Sequence, residues 1–245
     1  MKVEGRDVLL LAVAWFAGWE LLFLVVGADV VSSPAATLLR AATLLHSQNF
    51  WHDAWSTGVA FAFACVIGIA GGLVLGLCLG LNRFAADVAD PILGTIYSIP
   101  KITLYPIILL VFGLSPAAKV AFGVIHGIFP VTIFAMNAVR NVAPVHRRTA
   151  KALRLSRFAT VVTVLAPAAV PEILAGIRIG VAVTLLGILI AEFFASASGI
   201  GFALIRATEI HNVVDTFALT LLLFLFAVAI NMLLQLTERR VRHLT

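Results

Sequence analysis

Several side chains capable of acid–base or nucleophilic chemistry lie within or beside long apolar stretches of this 245-residue chain. The candidates are His126, Glu192, Asp215, Ser196 and Ser198. The sequence contains no His-Glu-x-x-His, Gly-x-Ser-x-Gly or paired-Asp motif, and its six histidines lack the spacing of metal ligands. An intramembrane enzyme is therefore an alternative that no motif supports. We predict neither a catalytic residue nor a metal site.

The most distinctive segment, 140–171, is strongly basic and has no Asp or Glu. Its cations are Arg140, Arg147, Arg148, Lys151, Arg154 and Arg157. Loops rich in Lys and Arg remain in the cytoplasm. Apolar residues recur at helical spacing over 147–165, and Pro167 then interrupts the pattern. We therefore predict a cytoplasmic surface helix, with attraction to anionic lipid of the inner leaflet as another role for the same cations.

A few charged side chains lie inside the apolar stretches, where each is costly unless it meets a partner or water. Lys101 follows Pro100 and is predicted to line a solute pathway, with a structural ion pair or snorkelling as alternatives. Arg178 and Glu192 share a helix face but are too far apart to pair with each other, so each needs another partner or an aqueous surface. With His126, they complete the pathway candidates.

Composition defines the elements that must position these residues. With 62% hydrophobic and 12% charged residues and a mean hydropathy of +1.09, the chain is an integral membrane protein. Its net charge of +5 comes from cations at the ends of apolar stretches and in one loop, so we expect no nucleic-acid partner. An all-α fold with about six transmembrane helices is predicted. The predicted spans are 8–26, 57–81, 92–112, 117–138, 173–195 and 217–236.

The distribution of Lys and Arg predicts the orientation. With the N-terminus inside, twelve cations lie in inner segments and three at outer positions, namely Arg40, Lys119 and Arg206. Both termini and the basic loop are then cytoplasmic, and 27–56 and 196–215 face outward. In the first outer segment, Ser33-Pro34 predicts a capped helix over 36–45 along the membrane surface.

Glycine and proline mark particular places in the spans. The second span carries a ridge of glycines that would let another helix approach closely, formed by Gly68, Gly72, Gly76 and Gly80. Pro100 and Pro106 are predicted to interrupt the third span, and Pro130 the fourth. Such interruptions are tolerated where helices bury one another or border a cavity.

A series of short motifs carries a family resemblance over nearly the whole chain. The matching residues are Ser33-Pro34, 76–81, Asp90-Pro91, Ile99-Pro100-Lys101 with Pro106, Phe112-Gly113, 166–171, 175–178, 191–193, 198–201 and 238–240. In order and spacing they resemble the membrane-spanning permease subunit of a type I ABC importer, in the nitrate, sulfonate and taurine branch of the binding-protein-dependent permeases. The resemblance implies one permease domain, 1–245, made of 1–56, spans 2–4 in 57–139, a coupling loop over 140–171, and 172–245.

The resemblance also implies partners and a mechanism. Two permease copies, as a homodimer, would form the pathway in the bacterial inner membrane, and a cytosolic ABC ATPase dimer would bind ATP. The chain itself has no Gly-x-x-x-x-Gly-Lys-Ser/Thr motif and no cofactor of its own is expected. A periplasmic or lipid-anchored binding protein would deliver a small organic or inorganic anion. A pore or scaffold without an ATPase is the alternative, and copurification of an ATPase would distinguish the two.

In this family a coupling helix carries a Glu-Ala-Ala motif followed by a Gly and, later, a Leu-Pro. If Ala166-Pro167 occupies the Leu-Pro position, the motif falls on Arg148-Thr149-Ala150 and the Gly on Arg154. Arg at both positions predicts compensating carboxylates on the ATPase or altered coupling. The predicted coupling residues are Arg147, Arg148, Thr149, Ala150, Lys151, Ala152, Leu153, Arg154, Ser156 and Arg157.

Overall fold

The computed structural model describes residues 5–142, 152–153, 156–160, 163–164 and 166–242, and these are all-helical, without strands. The helices are α1 (Gly5–Val26), α2 (Pro34–Leu44), α3 (Gln48–Leu81), α4 (Arg83–Ser98), α5 (Tyr105–Phe112), α6 (Pro116–Arg140), α7 (Arg157–Thr160), α8 (Ala166–Phe194), α9 (Ile200–Glu209) and α10 (Val213–Arg242). Five are long and apolar enough to cross a membrane, and a bent pair of helical segments makes a sixth candidate. The predicted all-α fold with about six spans is confirmed.

The third predicted span is broken, as expected at Pro100. Helix α4 ends at Ser98, a 3-10 helix covers Lys101–Leu104, and α5 follows, so that the two halves of the span meet at 83°. Ile99 is extended because a proline disfavours helical backbone in the residue before it. The connection from α5 to α6 is short, because α5 ends at Phe112 and α6 begins at Pro116.

The predicted interruption at Pro130 is wrong, because α6 runs through this residue without a break. A proline inside a helix removes one backbone donor, and its ring crowds the carbonyl of the preceding turn. Here Pro130 and its neighbours Gly127 and Val131 are buried, and α6 packs closely against α3 on one side and α8 on the other. Packing on both sides keeps the helix continuous.

Three helices extend beyond the predicted spans. Helix α3 begins at Gln48 instead of 57, α8 at Ala166 instead of 173, and α10 covers Val213–Arg242 instead of 217–236. Hydropathy detects only the part of a helix that suits the hydrocarbon core, whereas backbone hydrogen bonding continues past it.

The short helix α2 begins as predicted. The Ser33 side chain accepts a hydrogen bond from the Ala36 backbone N–H at 3.2 Å, and Pro34 occupies the first helical position. Arg40 of α2 forms a hydrogen-bonded ion pair with Asp215 at the start of α10. The hydrogen bond to the Asp215 carboxylate raises the pKa of Arg40. Helices α2 and α9 both pack on α10. The end of the bundle that carries α2 and α9 is called the α2–α9 end below.

Candidate functional site

The α2–α9 end contains a buried ion pair between two spans. Lys119 Nζ, near the start of α6, lies 3.2 Å from Glu192 Oε1, near the end of α8. Only 3% of Lys119 and 1% of Glu192 are exposed. Both charges are thus withdrawn from solvent and depend on each other and on nearby hydrogen bonds for stabilisation.

Glu192 is hydrogen-bonded through both carboxylate oxygens. The Thr57 hydroxyl of α3 lies 2.9 and 3.0 Å from the two oxygens, and the Gly201 backbone N–H of α9 donates to Oε2 at 2.9 Å. Thr57 also accepts a hydrogen bond from the Ile200 N–H at 2.8 Å. One carboxylate therefore connects α8 to α3, α6 and α9.

Lys119 uses all three of its N–H donors. Besides Glu192, its ammonium donates to Ser56 Oγ at 3.0 Å and to the Ser198 carbonyl at 2.9 Å. The Ser56 and Ser198 hydroxyls lie 2.9 Å apart. The ammonium is fully satisfied by groups from three different parts of the chain.

The connection from α8 to α9 is shaped around this pair. Gly199 has φ +122°, a backbone conformation that L side chains rarely adopt, and a Cβ there would collide with the Glu192 carboxylate. The Gly199 N–H donates to Asp53 Oδ1 of α3 at 2.8 Å. A Cβ at Gly201 would lie 2.7 Å from Glu192 Cβ. Small residues are required here because the backbone passes directly over the carboxylate.

A second ion pair joins α8 to α10 at the opposite end of the bundle. Arg178 Nη1 lies 3.2 Å from Glu238 Oε2. Beside it, a cavity of about 80 Å³ is lined by Arg178, by Asn231 and by apolar residues of α3, α8 and α10. Arg178 and Glu192 thus have separate partners, as their spacing predicted.

Lys101 lies just after the break in the third span. Its ammonium donates to the Tyr97 carbonyl at 2.9 Å and lies 4.3 Å from the centre of the Tyr97 ring and 5.8 Å from that of Phe129. None of the ion pairs within the described residues involves Lys101. Its side chain is partly exposed, so the charge is held by a carbonyl and two rings instead of a carboxylate.

His126 is packed between helices. Its Nδ1 lies 2.9 Å from the Phe122 carbonyl, its ring contacts Phe122 edge-on, and a Cβ at Gly187 would lie 2.8 Å from Nδ1. Only 9% of the residue is exposed. Within the described residues, no three His, Cys, Asp or Glu side chains form a group that could hold a metal ion.

The glycine ridge of α3 faces α6. A Cβ at Gly72 would lie 2.7 Å from Val131 Cβ, and one at Gly80 would lie 2.7 Å from the Met136 carbonyl oxygen. At Gly68 the nearest atom, the Ile128 nitrogen, would be 3.7 Å away. Contact is therefore tightest over Gly72, Gly76 and Gly80, where the two backbones nearly touch.

At the end of the bundle opposite α2 and α9, Arg140 connects α6 to α4. Its guanidinium lies 3.0 Å from Asp87 Oδ1 and 3.2 Å from Asp90 Oδ2. Both carboxylates are well exposed, so these pairs contribute little to stability, on the order of 0–1 kcal/mol each. They connect the start of the basic segment to the first half of the broken span.

Most of the predicted coupling helix lies outside the described residues. This applies to Arg147, Arg148, Thr149, Ala150, Lys151 and Arg154. Of the others, Ala152 and Leu153 are exposed, Ser156 accepts a hydrogen bond from the Ala159 N–H at 3.2 Å, and Arg157 begins α7.

Sequence reasoning missed the partner of Glu192. The charge count treats Lys119 only as a cation near an outer end. Yet Lys119 lies 21 positions before Arg140, and Glu192 lies 21 positions after Pro171. Because the two spans flank the same loop, equal offsets predict equal depth in the membrane, and this signal could have identified the pair.

A helical bundle with a broken span and a buried ion pair between spans is typical of the membrane subunits of transporters. Similar folds occur in solved transporters. A chain of an amino acid ABC transporter crystallised with histidines superimposes with a TM-score of 0.66 at 20% identity, covering 81% of this chain and 97% of that one. The methionine transporter MetNI superimposes with a TM-score of 0.55 at 20% identity, covering 81% of this chain and 95% of that one.

Curated proteins also resemble this chain in sequence. The provisionally named aliphatic sulfonates permease SsuC of Bacillus subtilis is 26% identical, over 95% of this chain and 85% of SsuC. The taurine permease TauC of Escherichia coli is 28% identical over 72% and 66% of the two chains. The nitrate permease NrtB of Synechocystis is 33% identical over 59% and 51%.

Residues 68–243 match the family described as the inner membrane component of binding-protein-dependent transport systems, and the chain belongs to that family. It is the membrane-spanning permease subunit of an ABC importer and not an enzyme. It works in the inner membrane with ATPase subunits and a substrate-binding protein. The predicted resemblance is confirmed.

Proposed function

We propose that this permease conducts a small anion through a pathway lined by Lys101, as a homodimer with both termini in the cytoplasm. The contacts of the Lys101 ammonium are the observation that supports an anionic solute. Its ammonium contacts the Tyr97 carbonyl and ring but none of the carboxylates among the described residues. A positive charge without a counter-ion favours a negatively charged solute.

The depth of Lys101 supports this role. Between it and Phe112 lie a 3-10 helix and α5, which together span about 20 Å. The hydrocarbon core is about 30 Å thick. Lys101 would therefore lie inside the membrane, beside the break in the third span, and broken helices are tolerated where they border a cavity.

The similar proteins agree with an anionic solute. SsuC, TauC and NrtB are named for aliphatic sulfonates, taurine and nitrate, each of which carries a negatively charged oxyanion group. The other pathway candidates have structural partners: Arg178 pairs with Glu238, Glu192 with Lys119, and His126 packs against Phe122. We therefore propose Lys101 as the solute-facing charge and the other three as residues that hold the helices together.

We place the second copy of the permease against the apolar face of α5. Leu110 is 87% exposed, and Ile107 and Val111 beside it are also exposed. This face follows directly after Lys101, so a second copy packed against it would enclose a pathway between two Lys101 side chains. Residues 147–157 would then lie at the opposite end from α2 and α9, where we propose that they dock onto the ATPase.

Uptake into proteoliposomes tests the solute class, using the permease reconstituted with its ATPase and binding protein and supplied with labelled taurine or nitrate. Replacing the ammonium in Lys101→Met should lower uptake about tenfold, the effect of losing one charge-assisted contact. Lys101→Arg is the matched control, because it retains the charge, and should keep most of the uptake. Equal uptake by the Met and Arg variants, with normal assembly, would overturn the anion proposal.

A further inference from the structure

The start of α9 is bonded almost entirely to side chains of other helices. Ser198 offers its carbonyl to Lys119, and the next three N–H groups, of Gly199, Ile200 and Gly201, donate to Asp53, Thr57 and Glu192. These donors are the ones that a helix leaves unpaired at its N-terminus. Side chains from α3, α6 and α8 therefore hold α9 at this end of the bundle.

We infer that Lys119 and Glu192 are positioning residues that fix the start of α9 against α3, α6 and α8. Glu192 binds Gly201 and Thr57, and Lys119 binds Ser198, so that the ion pair lies directly beneath the first turn of α9. Loss of either charge leaves the other buried without its counter-charge. The identification of this end as the outer mouth rests on the proposed function, whereas the attachment of α9 does not.

Lys119 and Glu192 cannot exchange positions without losing their contacts to α9. The lysine end contacts a carbonyl oxygen, which requires a donor, and the glutamate end contacts an N–H group, which requires an acceptor. Exchanging the two residues would face a carboxylate toward the Ser198 carbonyl and an ammonium toward the Gly201 N–H. Net charge would be retained, but the attachment of α9 would be lost.

Thiol labelling can test this, because Ala207 of α9 is buried and lines a cavity of about 250 Å³ that has room for a sulfur atom. Cys65 and Cys78 are first replaced by Ala, and Ala207→Cys serves as the α9 reporter. A second, core reporter, Met136→Cys, lies in the buried α3–α6 interface, about 25 Å along α6 from Lys119. Both are labelled with a maleimide in the purified permease–ATPase complex in lipid nanodiscs.

Lys119→Met should accelerate labelling of the α9 reporter at least about tenfold more than labelling of the core reporter, because the local attachment of α9 is lost in addition to any loss of global stability. The exchanged variant, Lys119→Glu with Glu192→Lys, should behave like Lys119→Met. Unchanged labelling of the α9 reporter, or equal acceleration of both reporters, would overturn the inference. Labelling of the α9 reporter that is as slow in the exchanged variant as with the native Lys119 and Glu192 would also overturn it.

The labelling result and the transport result are separable. If the α9 reporter responds as expected but the reconstituted complex moves no anion, the solute proposal fails and the positioning role stands. If anion uptake depends on Lys101 but the α9 reporter does not respond, the solute proposal stands and the positioning role of Lys119 and Glu192 fails.

Discussion

A buried Lys–Glu pair such as Lys119 and Glu192 carries a desolvation penalty of roughly several kcal/mol per ion. That penalty is offset only when every remaining donor and acceptor is satisfied. Here the ammonium has three acceptors, and the carboxylate is bonded through both oxygens. The Lys119–Glu192 pair therefore fixes the positions of the helices that it joins more than it stabilises the fold.

At this scale we expect single and double substitutions to differ. Lys119→Met leaves Glu192 buried and unpaired and should lower the free energy of unfolding by about 3–5 kcal/mol. Adding Glu192→Gln removes the uncompensated charge and should recover part of the loss. Thermal unfolding of the detergent-solubilised permease measures both. A double variant less stable than Lys119→Met would contradict this account.

At the scale of elements, the α3–α6 contact depends on the absence of side chains along one face. At Gly76 a Cβ would lie 2.7 Å from Ala135 Cβ and 3.0 Å from the Met136 nitrogen. Backbone atoms of a neighbouring helix move only if the whole helix moves. Gly58, on the same helix, has no atom within 4 Å of the corresponding position.

The two glycines provide a matched test. Gly76→Ala should destabilise the permease by about 1–3 kcal/mol through overpacking. Gly58→Ala should be neutral or stabilise by up to about 1 kcal/mol, because alanine favours the helix. The midpoint of thermal unfolding measures both changes. Equal effects at the two sites would mean that close packing of α3 on α6 does not limit stability.

The sequence predicted the existence of the spans better than their ends or their partners. Hydropathy located the apolar segments, and proline chemistry located the break at Pro100, because both depend on local properties of the chain. The wrong prediction at Pro130 and the missed Lys119 depend on which helices surround a residue. Such contacts arise from tertiary packing, and a single sequence reports them only indirectly.

At the scale of the whole molecule, the positive-inside distribution predicts a single orientation. In intact cells, Glu209→Cys on α9 should react with a membrane-impermeant maleimide, and Arg83→Cys, at the start of α4, should react only after permeabilisation. Cys65 and Cys78 are replaced beforehand, since both are free thiols. The reverse labelling pattern would invert the proposed topology.

The basic segment should make the permease–ATPase complex sensitive to salt. Its cations would attract carboxylates on the ATPase, and at about 1 M salt charges are screened beyond about 3 Å. We expect Arg148→Ala with Arg154→Ala to lower the salt concentration at which the ATPase dissociates during copurification. Arg206→Ala, at the α2–α9 end, is the control and should have no effect. Identical dissociation in both variants would exclude an electrostatic contribution from this segment.

Helix α8 is attached at two points, to α10 through Arg178 near its middle and to α6 through Glu192 near its end. The two anchoring residues are 14 positions apart, about 21 Å along the helix axis. A helix held by ion pairs to two different neighbours cannot move along its axis without breaking one of the pairs. It can still rotate about the line that joins the two points of attachment. We therefore expect α8 to rotate during transport. Translation along the helix axis should be confined to helices that are not held by two such ion pairs.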